Sequence, residues 1–129
     1  MVQEIFLKRA YEPSSRSDGF RVLVDRLWPR GVSKVRLRLD MWAKAVSPST
    51  ALRKWFGHDV ERWAGFRERY KDELKDPDAR QAIKDILDSA AQSSAITLVY
   101  GAKDSEHNEA VVLRAVLKQR LRSRAVKRG

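Results

Sequence analysis

Continuous apolar runs of strand length constrain the fold of this chain more than any other feature. Val22-Leu23-Val24 and Ala95–Tyr100 have no polar alternation, which is typical of strands buried on both faces of a parallel sheet. Ile5-Phe6-Leu7 predicts another short strand near the amino terminus. Helical patterns between the later strands supply the crossovers that parallel pairing needs. We therefore predict an α/β fold with a small, mostly parallel sheet of about three to four strands, flanked by helices in a single compact domain.

The helices are predicted from their capping residues and apolar spacing. Ser49 begins a short helix that ends at Gly57, and Asp59 begins the next one. Pro77 occupies the first turn of a further helix. After the strand at Ala95–Tyr100, a last helix is expected to begin at about Ser105.

The length and composition limit the class of protein. The 129 residues fit one domain with a hydrophobic core, and the chain has no cysteine. The missing cysteines exclude disulfides, thiolate catalysis and cysteine metal sites, and they fit a reducing compartment. The amino terminus has no signal-peptide pattern and no apolar run has the length of a membrane span, so we expect a cytoplasmic protein without membrane contact.

The positive charge of the chain is concentrated at its carboxyl end. Residues 1–113 hold 20 Lys and Arg against 17 Asp and Glu, whereas residues 114–129 hold 7 basic residues and no acidic one. The apolar spacing of the last helix continues to about Leu121. We therefore predict one α/β domain over residues 1–121 and a basic, mobile tail over residues 122–129.

Four segments carry a resemblance to a known family: Lys8–Tyr11, Asp18–Gly31, Leu52–Asp59 and Leu98–Asn108. Over about residues 4–117 the chain resembles the short, YeaO-like branch of the domain of unknown function 488 family. The resemblance implies a compact α/β fold in a bacterial or archaeal cytoplasm, and it implies no established activity.

Longer members of the wider family carry a Cys before the turn that follows the third strand, and a Cys-His-Arg run after it. Tyr100 and His107-Asn108-Glu109 stand in those places in this chain. Thiol chemistry therefore cannot be carried over from those members.

Polar side chains follow each predicted strand. They are Arg9 and Tyr11 after the first, Asp25, Arg26, Trp28 and Arg30 after the second, and Tyr100, Lys103 and Asp104 after the third. Loops at the carboxyl ends of parallel strands face one cleft, and the last helix would add free amide groups at its start. This pattern predicts a site for a phosphate or carboxylate. The alternative is a structural network in which Asp25 and Asp104 neutralise Arg26, Arg30 and Lys103.

Several other residues could serve that site or merely support it. His107 and Asn108 lie where the last helix starts, so they either contact the ligand or stabilise the turn. Trp28 is a candidate wall for stacking on a ring, with packing against its own loop as the alternative. His58 precedes the cap Asp59 and has the same two interpretations. The spacing of the histidines does not predict a metal site, and no cofactor motif is present.

The function favoured by the sequence is binding, or chemistry, on an anionic small molecule that is phosphate-like or nucleotide-like. Asp25 or Asp104 would be the general acid or base, and whether the protein is an enzyme stays open. The alternative is a nucleic-acid-associated protein that binds phosphates weakly and without sequence preference through Arg114–Gly129. A homodimeric structural or stress-related protein without chemistry in the cleft is a third hypothesis.

Overall fold

A computed structural model of the chain describes residues 1–128, and it describes side chains as far as Val126. The described residues form four strands, β1 (Glu4–Arg9), β2 (Phe20–Leu23), β3 (Met41–Trp42) and β4 (Ala95–Tyr100). Their helices are α1 (Lys34–Leu37), α2 (Thr50–Phe56), α3 (Trp63–Glu73), α4 (Pro77–Ser89) and α5 (Glu109–Arg128). The predicted α/β class is confirmed.

The strands form one parallel sheet in the order β1-β4-β2-β3. Every residue of β4 is buried, because this strand has a neighbour on each side and side chains packed on both faces. Arg9 pairs with Tyr100, and Leu23 pairs with Val99. The carboxyl ends of β1, β2 and β4 therefore lie at the same edge of the sheet.

The two faces of the sheet pack against different parts of the chain. Alternate residues such as Val22, Ile96 and Leu98 join the main core, which α2, α3, α4 and α5 cover. Leu23 and Val99 point the other way, into a smaller cluster covered by the chain that runs from β2 to β3. Successive side chains of the strands thus enter two separate clusters, one on each face of the sheet.

The predicted helix starts agree with the capping contacts. Ser49 Oγ accepts a hydrogen bond from the Leu52 amide at 3.1 Å. Asp59 caps a 3-10 turn that leads directly into α3, and Asp76 caps α4 with Pro77 in the first turn. The local sequence is sufficient here because each cap is formed within three residues.

The start of the last helix was predicted wrongly. It begins at Glu109 and not at about Ser105. Asp104 Oδ1 accepts hydrogen bonds from the amides of Glu106 and His107, at 2.9 and 3.0 Å, and these bonds form a separate turn. That turn delays the helix by four residues.

At its carboxyl end α5 continues through Arg128, beyond the predicted end of the domain at Leu121. Residues 122–128 of the predicted tail are therefore helical, and their mobility stays a prediction. Gly129, the last residue of that tail, lies outside the described residues. No helix within residues 1–128 is both long and apolar enough to cross a membrane.

Candidate functional site

Hydrogen bonds join the loops that follow the strands at the carboxyl edge of the sheet. Asp25, two residues beyond β2, accepts a hydrogen bond on Oδ2 from the Gly101 amide, just beyond β4, at 2.8 Å. The Trp42 indole in β3 donates to the Asp25 carbonyl at 2.8 Å. Arg9, at the end of β1, donates from Nε to the Ala102 carbonyl at 2.9 Å. The backbone and the carboxylate of Asp25 are both held in place.

A cavity of about 410 Å³ lies between this edge and the helices α2, α3 and α5. It has the size of a small-molecule site, for which volumes of roughly 300–1,000 Å³ are typical. Its walls combine carboxylates, cations, two imidazoles and two phenyl rings. The residues that line it are Asp25, Arg26, Leu27, Ser47, Pro48, Thr50, Arg53, Lys54, Phe56, His58, Phe66, Gly101, Ala102, His107, Asn108 and Glu109.

Two of the lining side chains form a carboxyl pair. Glu109, the first residue of α5, is hydrogen-bonded to Asp25. Burial raises the pKa of Glu109 well above its usual value of 4.5, and the hydrogen bond and negative charge of Asp25 raise it further. Glu109 therefore keeps its proton to a pH well above the one at which a free glutamate ionises. While that proton is held, the pair carries a single negative charge.

Three cationic side chains stand around the carboxyl pair. Arg26 follows Asp25 along the chain, and Arg53 and Lys54 lie on α2. All three are exposed to solvent, and the positive charge of Arg53 opposes the upward pKa shift of Glu109. With Glu109 protonated, the permanent charges that line the cavity are three positive against one negative.

His107 lines the cavity and is oriented by Asp104. Its Nδ1 lies 2.9 Å from Asp104 Oδ2, and its ring stands edge-on to Trp63 with the centroids 5.2 Å apart. Hydrogen bonds from the Glu106 amide and from His107 lower the pKa of Asp104. Both carboxylate oxygens of Asp104 are thus occupied by neighbours, which suits a positioning role better than proton transfer.

Asn108 occupies the start of α5 and takes up its free amides. Its Oδ1 accepts hydrogen bonds from the amides of Ala110 and Val111 at 2.9 and 3.2 Å, and its Nδ2 donates to the Asp104 carbonyl at 2.8 Å. These are the contacts of a helix cap. The amides at the start of the last helix, which were predicted to bind an anion, are therefore already hydrogen-bonded. An anion in the cavity would have to be held by side chains.

A family model described as the inactive DUF488-N3 subclade matches residues 4–128 of the chain. The chain belongs to this DUF488-N3i family. Uncharacterized protein YeaO of Escherichia coli K12 is 48% identical over 106 residues, which are 82% of this chain and 90% of that protein. Uncharacterized protein Rv3073c of Mycobacterium tuberculosis H37Rv is 37% identical over 122 residues, 93% of this chain and 100% of that protein. No solved structure matches the chain.

The predicted membership of the YeaO-like branch is confirmed by these similarities. Four of the predicted site residues line the cavity of this DUF488-N3i chain: Asp25, Arg26, His107 and Asn108. The others do not line it: Arg9, Tyr11, Trp28, Arg30, Tyr100, Lys103 and Asp104. Arg9 and Asp104 nevertheless contact residues that do, through Ala102 and His107.

Trp28 and Tyr100 pack inside the protein rather than facing the cavity. Trp28 joins the small cluster on the opposite face of the sheet, stands edge-on to Trp42 and donates its indole N–H to the Val32 carbonyl at 2.6 Å. Tyr100 is buried in the main core, and this burial raises the pKa of its hydroxyl. Packing, the alternative considered for Trp28, is what the structure shows.

The structural salt-bridge network that was the alternative to a site is not formed. Within the described part of the chain, Arg26, Arg30 and Lys103 make no ion pair. Asp25 instead contacts the Gly101 amide and Glu109. The cations at this edge are therefore not neutralised by the two aspartates.

Glu109, Arg53 and Lys54 were missed by the sequence analysis. Glu109 is the first residue of α5 and directly follows the cap Asn108. Because the start of this helix was predicted four residues too early, the place of Glu109 in the cavity was missed. Arg53 and Lys54 lie between Leu52 and Phe56, the buried residues of α2. Their place on the outer face of α2 was predictable from the helical spacing, but their position in the cavity lining depends on how α2 packs.

The donor set of the cavity does not form a metal site. Among the side chains that the structure describes, no three His, Asp or Glu residues converge closely enough to hold a metal ion. The imidazole of His107 is engaged by Asp104, and the raised pKa of Glu109 favours its protonated form. The chemistry available in the cavity is hydrogen bonding, charge and proton transfer.

Replacing Glu109 with glutamine should raise the melting temperature at pH 8 by on the order of 3–5 °C and have little effect at pH 4. Since the folded-state pKa of Glu109 is raised, folding retains a proton that the unfolded chain releases above about pH 4.3. Wild-type stability is thus lost as the pH rises from that value through the folded pKa. Thermal melts of both proteins between pH 4 and 9 measure the effect.

The exposed Glu106, three residues before Glu109, provides the matched control. Glu106→Gln removes the same charge from the same segment without touching the carboxyl pair, and its melting temperature should follow the wild type across this pH range. A Glu109→Gln protein that tracks the wild type at pH 8 would show that the pair does not hold a proton there.

Proposed function

We propose that the cavity at the carboxyl edge of the sheet binds an anionic small molecule that is phosphate-like or nucleotide-like. One observation carries the proposal: the exposed cations Arg26, Arg53 and Lys54 line the same cavity as Asp25 and Glu109, and burial beside Asp25 raises the pKa of Glu109. The cavity then has an excess of permanent positive charge, and no acidic side chain within the described residues pairs with these cations. A phosphate group would supply the missing negative charge.

The apolar wall of the cavity supports a ligand with a ring as well as an anionic group. Phe56 and Phe66 lie against each other with their ring centroids 4.5 Å apart, and both contribute to the lining. The two residues are only 5% and 2% exposed, so a planar ring would meet the edges of this pair and not a stacking face, while its phosphate extends toward Arg53 and Lys54. This division into an aromatic wall and a cationic rim favours a nucleotide-like ligand over inorganic phosphate alone.

Binding without turnover is the version of this function that we favour. The carboxyl pair of Asp25 and Glu109, together with His107, could move protons. The family is described as an inactive subclade, however. Asp104 also already accepts hydrogen bonds from the amides of Glu106 and His107. We therefore assign the carboxyl pair to ligand recognition, where the proton shared with Asp25 lowers the negative charge that an incoming anion would meet.

Titration of the protein with sulfate, phosphate and adenosine monophosphate tests this function, with calorimetry as the readout. Adenosine monophosphate should bind more tightly than either inorganic ion. Arg53→Gln should weaken it by roughly 10–100-fold, because a hydrogen bond to a charged group contributes about 1.5–3 kcal/mol. Arg67→Gln is the matched control, since Arg67 is exposed on α3 and lies outside the cavity lining.

Sulfate titrations at several pH values test the role of Glu109. The charge of sulfate is constant between pH 5 and 9, so any change in its affinity comes from the protein. Its binding should weaken as the pH rises and Glu109 loses its proton, whereas binding to Glu109→Gln should stay constant. Equal affinities of the wild type, Arg53→Gln and Arg67→Gln for all three anions would reject the proposed function.

A further inference from the structure

A second cavity, of about 510 Å³, lies between α4 and the last part of α5, lined by none of the residues that line the first. Two cations project from each of its walls, Arg80 and Lys84 from α4 and Arg120 and Arg124 from α5. Each pair is one helical turn apart, or about 6 Å along the helix axis. We call this cavity the α4–α5 groove.

The charge of the α4–α5 groove is only partly compensated. Asp88 pairs with Lys84 at 2.7 Å and with Arg124 at 3.0 Å. Arg80 and Arg120 form no ion pair with any acidic side chain of residues 1–126. Among the described acidic residues, Asp88 alone pairs with any of these four cations and holds two of them in a fixed position, while the nearby Asp85 is bonded to Gln81 of the lining at 2.9 Å.

The rest of α5 extends this positive field. From Arg114 onward the sequence has no acidic residue, and Arg114, Lys118 and Arg122 form a second basic stripe that faces away from Arg120 and Arg124 on the helix. The eleven residues from Arg114 to Arg124 span about 15 Å of helix axis. A nucleic-acid duplex presents roughly nine phosphate charges over that length, which is enough for each of the four groove cations to face a phosphate.

The lining of the groove identifies the kind of partner. Its apolar residues Ile83 and Leu87 are only 1% and 3% exposed, so little apolar surface is left for the face of an amphipathic peptide helix. No aromatic residue lines the groove, so unpaired bases would have nothing to stack on. The groove therefore offers cations to a partner, but no surface that could recognise particular side chains or bases.

We infer that the α4–α5 groove binds the phosphodiester backbone of a nucleic-acid duplex without reading its sequence. This interaction is separate from the small-molecule site, because the two cavities share no lining residue. It also differs from binding by a mobile tail, since two of its four cations belong to α4. Duplex DNA and duplex RNA present the same backbone chemistry, and the experiment distinguishes them.

Fluorescence anisotropy with a labelled 20-base-pair DNA duplex, its RNA counterpart and polyglutamate tests the inference on the full chain. The double variant Arg80→Gln with Arg120→Gln should bind the preferred duplex on the order of 10-fold more weakly. Its plot of log affinity against log salt concentration should be shallower by about 2, because two phosphate contacts are lost. Arg67→Gln with Lys71→Gln removes the same charge from exposed positions on α3 and should bind like the wild type.

Asp88→Asn provides the opposite change. It releases Lys84 and Arg124 from their ion pair, and binding to the duplex should become several-fold tighter, an effect that partial unfolding would not produce. Equal weakening by the α3 control variant would show a merely global charge effect and overturn the assignment to the groove. Polyglutamate that binds as tightly as either duplex would overturn nucleic acid as the partner.

Discussion

Replacing Gly19 with alanine is expected to prevent the protein from folding stably. Gly19 lies just before β2 with φ 64° and ψ −130°, a region of backbone space that other residues essentially avoid. An alanine Cβ at this position would overlap the carbonyl oxygen of Ala95 and lie 2.9 Å from its carbonyl carbon. Since Ala95 is the first residue of the central strand β4, relief of the clash would require the sheet to move.

The expected loss exceeds about 3 kcal/mol, which is a large part of the stability of a domain of this size. Gly31→Ala separates the effect of the clash from that of the backbone angle. Gly31 also has a positive φ, 79°, but a Cβ there would have open space around it, so its substitution should cost only about 1 kcal/mol. Urea denaturation measures both losses, and similar midpoints for the two variants would contradict the role assigned to the Ala95 contact.

Gly19 also shows which parts of the fold the sequence could predict. The segment Glu12–Gly19 was correctly expected to lie outside the strands, because its composition is that of a loop. Its internal structure depends on a distant strand: Thr97 Oγ1 donates to the Asp18 carbonyl at 2.7 Å. The strands β1, β2 and β4 and the caps of α2 and α4 were predictable because their signals lie within a few residues. Contacts between residues 79 positions apart leave no such local signal.

The missed strand β3 has a comparable cause. It consists of Met41 and Trp42 alone, at the edge of the sheet, too short for any periodic pattern to reveal. Its contribution is the Trp42 indole, which bonds the Asp25 carbonyl. The sequence showed the tryptophan but not the sheet position that brings it to Asp25.

The sequence could predict that the candidate site lies at the carboxyl edge of the sheet, but not which side chains line it. Parallel pairing alone brings Asp25 near the turn after β4, and the Gly101 contact agrees with that. The pleat and the course of the loop then decide which face each side chain reaches. Trp28 lies three residues after Asp25 but packs on the opposite face, whereas Arg53 arrives from α2. Sequence position along a loop does not determine these directions.

Replacing Asp18 with alanine is expected to cost about 3–5 kcal/mol, because it leaves a buried arginine without its partner. Arg21 Nη1 lies 2.7 Å from Asp18 Oδ2, and the two side chains are only 4% and 7% exposed. The other nitrogens of Arg21 donate to the Leu37 carbonyl, so the guanidinium cannot turn toward water without breaking these bonds. Lys8 Nζ completes the cluster at 2.9 Å from Asp18 Oδ1.

The exposed pair of Asp72 and Lys75 provides the control. Its side chains are 76% and 77% exposed, so Asp72→Ala should cost less than about 1 kcal/mol. Chemical denaturation of both variants at pH 7 measures the difference. A cost for Asp18→Ala within the range of the control would show that Arg21 finds another partner or reaches solvent.

The pH dependence distinguishes the lost ion pair from lost packing. Burial alone would raise the pKa of Asp18, but hydrogen bonds from Lys8, the Ser15 amide and Arg21 outweigh it, and the net pKa is lowered. The ionised pair therefore contributes its full stability above the unfolded pKa of about 3.9, and this contribution is lost as the pH falls through the folded pKa. The wild type and Asp18→Ala should thus converge in stability toward pH 2, where protonated Asp18 no longer balances Arg21. A gap that is the same at pH 7 and pH 2 would assign the cost to packing and not to charge.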